Sequence, residues 1–261
     1  MKQSKSLGQV FLKEARFHTM IVDALPGGGT ILEIGPGEGQ ISLRIAQKVK
    51  KLYCIELDRR FYTLLTDKFK PQANITLVNG DILKFDISAI PDTLVVFGNV
   101  PYYLSTDLIH YLIAHKSRVT DAYLTLQKEF AEKLIAQPGT YNYCFSTCLL
   151  QYHAQTAKLF DIPKQAFSPI PKVDSSFMHI RFLTEPPQGF AHEKILFDII
   201  KKAFSQRRKK IANSLRHLSQ DKNFFKDLDI DENLRPENLS LEDYIALARY
   251  CADNNRGTTH A

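Results

Sequence analysis

No apolar run in this chain approaches the roughly 18 residues that a membrane-spanning helix needs, which excludes a helical membrane protein. The first residues, Met1-Lys2-Gln3-Ser4-Lys5-Ser6, are basic, but no apolar signal core follows them, so a cytosolic location is expected. Cysteine is sparse: Cys54, Cys144, Cys148 and Cys251 make no paired CxxC. Cys144 and Cys148 stand one helical turn apart beside apolar residues, so buried free thiols are expected and no metal site. Internal repeats and low-complexity segments are missing, and so is the G-x-G-x-x-G of dinucleotide enzymes.

What is present is the balance of an ordinary globular protein, 44% hydrophobic and 24% charged over 261 residues. That length allows one large domain or two small ones and an ample core. The net charge of +6 is compatible with a nucleic-acid partner, but its distribution says more. From Ala191 to Leu218 there are eight Lys/Arg against two Asp/Glu; from Ser219 to Ala261 there are five against nine. The basic charge is gathered in one block ahead of an acidic tail.

Residues 2–12 are too polar and glycine-broken for a helix, and read either as a disordered arm or as a segment that folds over a ligand. Apolar spacing predicts a helix over 14–25, ended by Pro26-Gly27-Gly28-Gly29. Strand-like runs at 30–34, 52–56, 75–78, 94–98 and 121–126 then alternate with helical patterns at 40–49, 59–69, 105–115 and 128–136. A parallel doubly wound sheet is the economical arrangement, and ligands then sit at the carboxyl ends of its strands. That rule gathers Gly35, Glu56, Asp81 and Asn99 into one crevice.

Each of these residues has a chemical reading and a plain one. Gly35-Pro36-Gly37-Glu38-Gly39 between a strand and a helix suits close backbone approach to a nucleotide, or is a tight turn. Glu56 lies about 20 residues beyond the glycines, where an acid can accept ribose hydroxyls, or is a solvated strand end. Asp81 can accept from an adenine amino group with Ile82 against the ring, or belongs to a Gly-Asp turn. In Phe97-Gly98-Asn99-Val100-Pro101-Tyr102, an amide oxygen and a free backbone carbonyl give two acceptors and a tyrosine gives a stacking face. That combination suits a flat ring bearing an amino group, such as adenine; the alternative is a strand followed by an Asn-x-Pro turn.

A helical run resumes at 143–152, with two further strands at 156–160 and 176–182. After a linker at Pro186-Pro187-Gln188-Gly189 the pattern becomes all-helical, over 192–203, 205–218, 221–227 and 240–252. Arg207-Arg208-Lys209-Lys210 falls on the second of these helices, either as a solvated face or, with Gln206, Asn213 and His217, as a contact for phosphate and 2′-OH groups.

Six stretches in order resemble the bacterial small-subunit ribosomal RNA adenine dimethyltransferases: Lys5 to Leu12, Glu33 to Gly39, Ile55-Glu56-Leu57-Asp58, Gly80-Asp81, Asn99-Val100-Pro101-Tyr102, and Phe167-Ser168-Pro169-Ile170-Pro171-Lys172-Val173. The last is shared with the 23S rRNA methyltransferases of macrolide resistance. Gln127 to Gly139 and Phe204 to Leu215 look like the 16S enzymes instead. The resemblance runs from Ser4 to about Leu247. It implies a Rossmann-like class I methyltransferase fold, an α/β sheet of seven mostly parallel strands over 1–185, with a small all-helical RNA-binding domain over 190–261.

It further implies S-adenosylmethionine as cofactor, held by Val10, Leu12, Gly35, Gly37, Glu56, Asp81, Ile82 and Asn99. The expected product is dimethyladenosine at two adjacent adenines near the 3′ end of 16S rRNA, within the small subunit or its precursor, made by a monomer with no membrane role. Asn99, Pro101 and Tyr102 would be catalytic, Tyr102 and Phe167 would stack on the base, and Arg207, Arg208, Lys209 and Lys210 would bind RNA. Three positions depart from the family pattern: Val10 where His or Asn is usual, Tyr103 where Asn is usual, and Cys144 where Gly is common. Two other readings remain, an RNA-binding assembly factor without catalysis and a nicotinamide-dependent oxidoreductase, the latter disfavoured by the G-x-G-x-G spacing.

Overall fold

Between residues 30 and 127 strand and helix alternate as the sequence pattern requires. The computed structural model describes residues 10–216 and 224–257, so the expectations for residues 2–9 and for His217 lie outside the described residues. After the short strand β1 (Phe11–Leu12) and helix α1 (Ala15–Ala24) come β2 (Thr30–Ile34), α2 (Gln40–Ala46), β3 (Lys51–Glu56), α3 (Arg59–Phe69), β4 (Ile75–Asn79), β5 (Leu94–Asn99), α4 (Ser105–Ala114), β6 (Val119–Gln127) and α5 (Lys128–Leu134). Helix α6 (Phe145–His153), β7 (Ala154–Ile162), the two-residue β8 (Phe167–Ser168) and β9 (Ser175–Phe182) follow.

Seven strands form one sheet in the order β4-β3-β2-β5-β6-β9-β7. The pairs from β4 through β6 are parallel, and β9 runs antiparallel to β6. All five residues of β2 are buried, as expected for a central strand covered on both faces. The chain builds outward from β2 through β3 to β4, then returns to the other side of β2 with β5. That reversal makes a crevice at the carboxyl ends of β2 and β5. Register levels the strand ends: Ile34 pairs with both Ile55 and Gly98, and Glu56 pairs with Asn79. The residues just beyond, Gly35, Asp81 and Asn99, therefore emerge at one edge with Glu56. Gly39 turns the chain into α2 at φ 71°, and a Cβ there would lie 2.6 Å from Leu65 Cδ2, so glycine is required on both counts.

The short strand β1 pairs antiparallel with β8, Phe11 against Ser168 and Leu12 against Phe167. The end of the polar N-terminal segment, Phe11–Leu12, is thus an ordered strand.

The chain divides into two compact units. Among the described residues, 10–131 with 155–184 form the first, and 132–154 with 185–257 the second. This differs from a single boundary between 185 and 190, because α6 packs with the helices of the second unit. Tyr143, Cys148 and Tyr152 share a core with Leu196, Ile200, Tyr244 and Ile245. The second unit also contains α7 (Glu193–Phe204), α8 (Ile211–Leu215), α9 (Phe224–Asp227) and α10 (Leu241–Gly257). The helix expected over 205–218 is interrupted. After Ser205 the chain turns, Lys210 is extended (φ −60°, ψ 148°), and Ile211 begins α8 with its N–H on the Leu234 carbonyl at 2.7 Å. The interruption lets Ile211 be fully buried, and it leaves Arg207 to Lys210 in a turn rather than on a helix.

Cys54, Cys148 and Cys251 are buried free thiols and Cys144 is half-buried. Cys144 adopts an ordinary extended conformation, φ −155°, so the departure from glycine there costs nothing in backbone strain. No described helix is long and apolar enough to cross a membrane.

Candidate active site

The glycine loop after β2 is laid against the end of β3. The Gly35 N–H donates to the Ile55 carbonyl at 2.9 Å, and the Gly37 N–H to Glu56 Oε2 at 3.3 Å. Gly37 has φ 56°, and a Cβ on it would meet Phe11 Cε1 at 2.9 Å, so only glycine closes the loop under the β1 strap. The second Glu56 oxygen, Oε1, accepts the Asp58 N–H at 2.8 Å. Glu56 is 4% exposed; burial raises its pKa, and the backbone donors at Asp58 and Gly37 oppose that rise. Each carboxylate oxygen has two lone pairs, so both retain capacity for a hydroxyl donor.

Beyond β4, Asp81 uses Oδ1 to accept the Leu83 N–H at 3.0 Å and so caps a single 3₁₀ turn at Ile82–Lys84. The Asp turn and the cavity-facing acid are the same residue: the cap occupies one oxygen, and Asp81 and Ile82 both line the cavity.

At the end of β5, Asn99 Nδ2 donates to the Val10 carbonyl at 3.3 Å. That bond assigns the amide orientation and leaves Oδ1 as an acceptor. It also accounts for the departure at residue 10, since the contact is made by backbone and does not depend on the side chain. Leu12 is fixed beside it, its carbonyl bonded to His18 Nε2 at 2.9 Å. The Pro101 carbonyl, expected to be free, accepts the Leu104 N–H at 2.9 Å, because the chain enters a 3₁₀ turn at Tyr102–Leu104. One of its two lone pairs remains.

The two expected stacking rings differ in exposure. Tyr102 is half-buried, its hydroxyl 3.1 Å from Ser175 Oγ and its pKa raised chiefly by burial, and it is not on the cavity wall. Phe167 is 2% exposed and packs in the core with Leu12, Phe17 and Phe177, because its pairing with Leu12 turns it inward. Phe11, Phe97 and Tyr103 line the wall, and of these three rings Tyr103 is the exposed one, at 60%.

The cavity measures about 310 Å³ and brings together Val10, Leu12, Gly35, Gly37, Glu56, Asp81, Ile82, Asn99 and Pro101. Glu33 and Asp107, given no role from the sequence, line the same wall, as does Tyr103, noted there only as a departure from the family pattern. Glu33 carried a visible signal, an acid inside the apolar strand Thr30-Ile31-Leu32-Glu33-Ile34. It is 2% exposed, accepts from Cys54 Sγ at 3.4 Å, and burial pushes its pKa up to about 7. The four basic residues of 207–210 belong to the second unit. Arg207 is engaged there with the Tyr141 carbonyl and Glu237, and Lys210 with Asn233, whereas Arg208 and Lys209 are exposed.

The donor set fits a nucleoside cofactor. A carboxylate at one strand end can take vicinal hydroxyls, a second can take a ring amino group, Ile82 offers an apolar face, and the glycine loop leaves room for close approach. S-adenosylmethionine has all of these parts.

Comparison with known proteins gives a consistent result. The sequence matches the family described as ribosomal RNA adenine dimethylase over residues 1–253. It is 36% identical over 250 residues to the ribosomal RNA small subunit methyltransferase A of Aromatoleum aromaticum, covering 95% of this chain and 94% of that protein. The fold is similar to a crystal structure of a dimethyladenosine transferase from Plasmodium falciparum, with TM-score 0.80, 24% identity and coverage of 94% and 98%. It is also similar to that of the 23S rRNA methyltransferase ErmE, with TM-score 0.77, 22% identity and coverage of 93% and 99%.

Proposed function

The chain belongs to the ribosomal RNA adenine dimethylase family, S-adenosylmethionine-dependent enzymes that act on rRNA, and from that premise we propose that it dimethylates two adjacent adenines near the 3′ end of 16S rRNA during late small-subunit assembly. It does so in the cytosol as a monomer.

The observation that carries this reading is the convergence of Glu56, Asp81 and Asn99 from three strand ends on one cavity, with the Asn99 amide oriented by Val10. Glu56 takes the ribose hydroxyls, and Asp81 takes the adenine amino group of the cofactor with Ile82 against its ring. Val10, Leu12 and the glycines at 35 and 37 close around it. When bound, S-adenosylmethionine supplies a methyl group made electrophilic by its sulfonium.

Asn99 and Pro101 prepare the target nitrogen. An adenine amino group is a poor nucleophile because its lone pair is conjugated with the ring. Asn99 Oδ1 and the remaining Pro101 carbonyl lone pair accept its two hydrogens and draw the nitrogen toward tetrahedral geometry. The lone pair is then released for attack by positioning and electrostatics, with no covalent enzyme intermediate. Each transfer would form an N–C bond as the sulfur–methyl bond breaks, leaving a neutral thioether and releasing one proton from the nitrogen to solvent; a single hydrogen then remains, so one acceptor suffices for the second. We assign the ring that covers the base to Tyr103, on the cavity wall, with Tyr102 bracing the turn through Ser175. The target must be unstacked from its RNA, which favours a flexible loop. Arg208 and Lys209 contribute phosphate contacts.

Incubation with labelled S-adenosylmethionine and small subunits that lack the modification, followed by RNA digestion, should yield dimethyladenosine in 16S rRNA. Its formation in 23S rRNA instead would give the resistance-type activity, and no product at all would leave the assembly-factor reading.

A further inference from the structure

The second unit carries an aromatic ring that its core does not use. Tyr141 and Tyr143 stand two residues apart in the loop before α6. Tyr143 is fully buried, whereas Tyr141 is 87% exposed. The loop around Tyr141 is tied down: the Gly139 N–H donates to the Glu237 carbonyl at 2.7 Å, Thr140 bonds back to Gln137, and Arg207 Nη2 donates to the Tyr141 carbonyl at 2.5 Å. Arg207 is itself held, with Nε 3.5 Å from Glu237 Oε2, and its guanidinium lies over the Tyr141 ring, 5.2 Å from the centroid. A fixed cation thus lies over one face of a ring that remains largely open to solvent. Arg208 and Lys209 are exposed just beyond Arg207.

A large aromatic surface kept in water has an unfavourable hydration cost with no return from the fold. The cation on its rear face polarises it for stacking against a flat π-system. Adjacent exposed cations make phosphodiester backbone the compatible neighbour. Resting on the rRNA substrate proposed above, we propose that Tyr141, backed by Arg207, is a stacking platform for an unpaired nucleobase of the RNA, a site separate from the cavity that takes the target adenine. Stacking on an exposed ring is tolerant of base identity, so the site reads an unpaired base rather than a sequence.

Tyr141→Ala and Tyr141→Phe test this in the full-length protein, with binding to unmodified small subunits measured over a salt series. The alanine variant should bind about 5- to 100-fold more weakly, and the phenylalanine variant like the wild type. The salt slope should be unchanged in both, because stacking releases no counterions. Alanine binding within twofold of the wild type would overturn the proposal. So would an equal loss in the phenylalanine variant, which would implicate the hydroxyl, or a shallower slope in the alanine variant, which would mean that the ring acts only by holding Arg207. A photo-crosslinking aryl azide at position 141 should label rRNA; labelling of ribosomal protein alone would also overturn it. Dimethyladenosine formation by the wild type tests the activity independently, so failure here leaves that result readable.

Discussion

Asn99, at the end of the fifth strand, and Val10, 89 residues earlier, are joined by a hydrogen bond from Nδ2 to the carbonyl at 3.3 Å. The bond decides which end of the Asn99 amide is available. With Nδ2 turned to the Val10 carbonyl, Oδ1 remains to accept from an amino group. Asn99→Ala should therefore lower single-turnover methylation by at least about 100-fold while changing cofactor affinity by only a few-fold. Rapid-quench kinetics beside calorimetric titration of the cofactor separate the two quantities, and near-normal turnover would remove Asn99 from the mechanism.

Glu56 organises the loop and the cofactor site together, since its oxygens hold the Gly37 and Asp58 N–H groups. Glu56→Ala leaves those donors without an acceptor and removes the hydroxyl partner. An unmade buried hydrogen bond costs about 1–3 kcal/mol, so the cofactor dissociation constant should rise by about 10-fold or more. An unchanged constant would refute the role.

Tyr103 and Tyr102 should separate by substitution. Loss of the exposed ring in Tyr103→Ala should reduce kcat/KM for RNA by about 5- to 100-fold with the cofactor constant unaltered. Tyr102→Ala removes the ring and its Ser175 hydrogen bond and should have a smaller effect on kcat/KM. The reverse ranking in steady-state assays would return stacking to Tyr102.

Glu33 gives a pH dependence of known sign. Its carboxyl titrates near 7 in the folded chain against an ordinary value of 4.5, so the folded state binds the extra proton between these values. The stability it contributes is present below pH 4.5 and is lost as pH rises through about 7. Glu33→Gln stays neutral throughout, and its Tm should gain on that of the wild type as pH rises across this window. Parallel Tm curves from calorimetry would exclude the effect.

The basic turn should divide into two halves. Arg208→Ala with Lys209→Ala removes exposed charge, and should leave Tm unchanged while flattening the salt dependence of RNA binding by up to about 1.4–1.8 in slope. Arg207→Ala should lower Tm as well, because it releases Glu237 and the Tyr141 loop. Melting curves and salt titrations on the same variants distinguish the halves; an unchanged slope would make 208–209 a merely solvated surface.

The sequence by itself determined whatever is written in local pattern. Alternating apolar runs specified the five parallel strands, because a buried strand and an amphipathic helix each impose their own period on neighbouring residues. The glycine loop, the acid at Glu56 and Asn99-Val100-Pro101-Tyr102 were legible for the same reason, and the doubly wound topology gathered them at one edge. Tertiary structure decided what depends on competition between distant partners. Phe167 was expected from the resemblance to stack on the base, and its pairing with Leu12 sends it to the core. The run at 207–210 has helical composition, yet burying Ile211 against the chain at Leu234 breaks the helix there. Residues 132–154 lie between elements of the sheet unit in sequence, but Tyr143 and Tyr152 find apolar cover among the C-terminal helices. The acceptor that fixes Asn99, the Val10 carbonyl, comes into play only when the two-residue strand beside it docks 89 positions away, a contact that no local periodicity encodes.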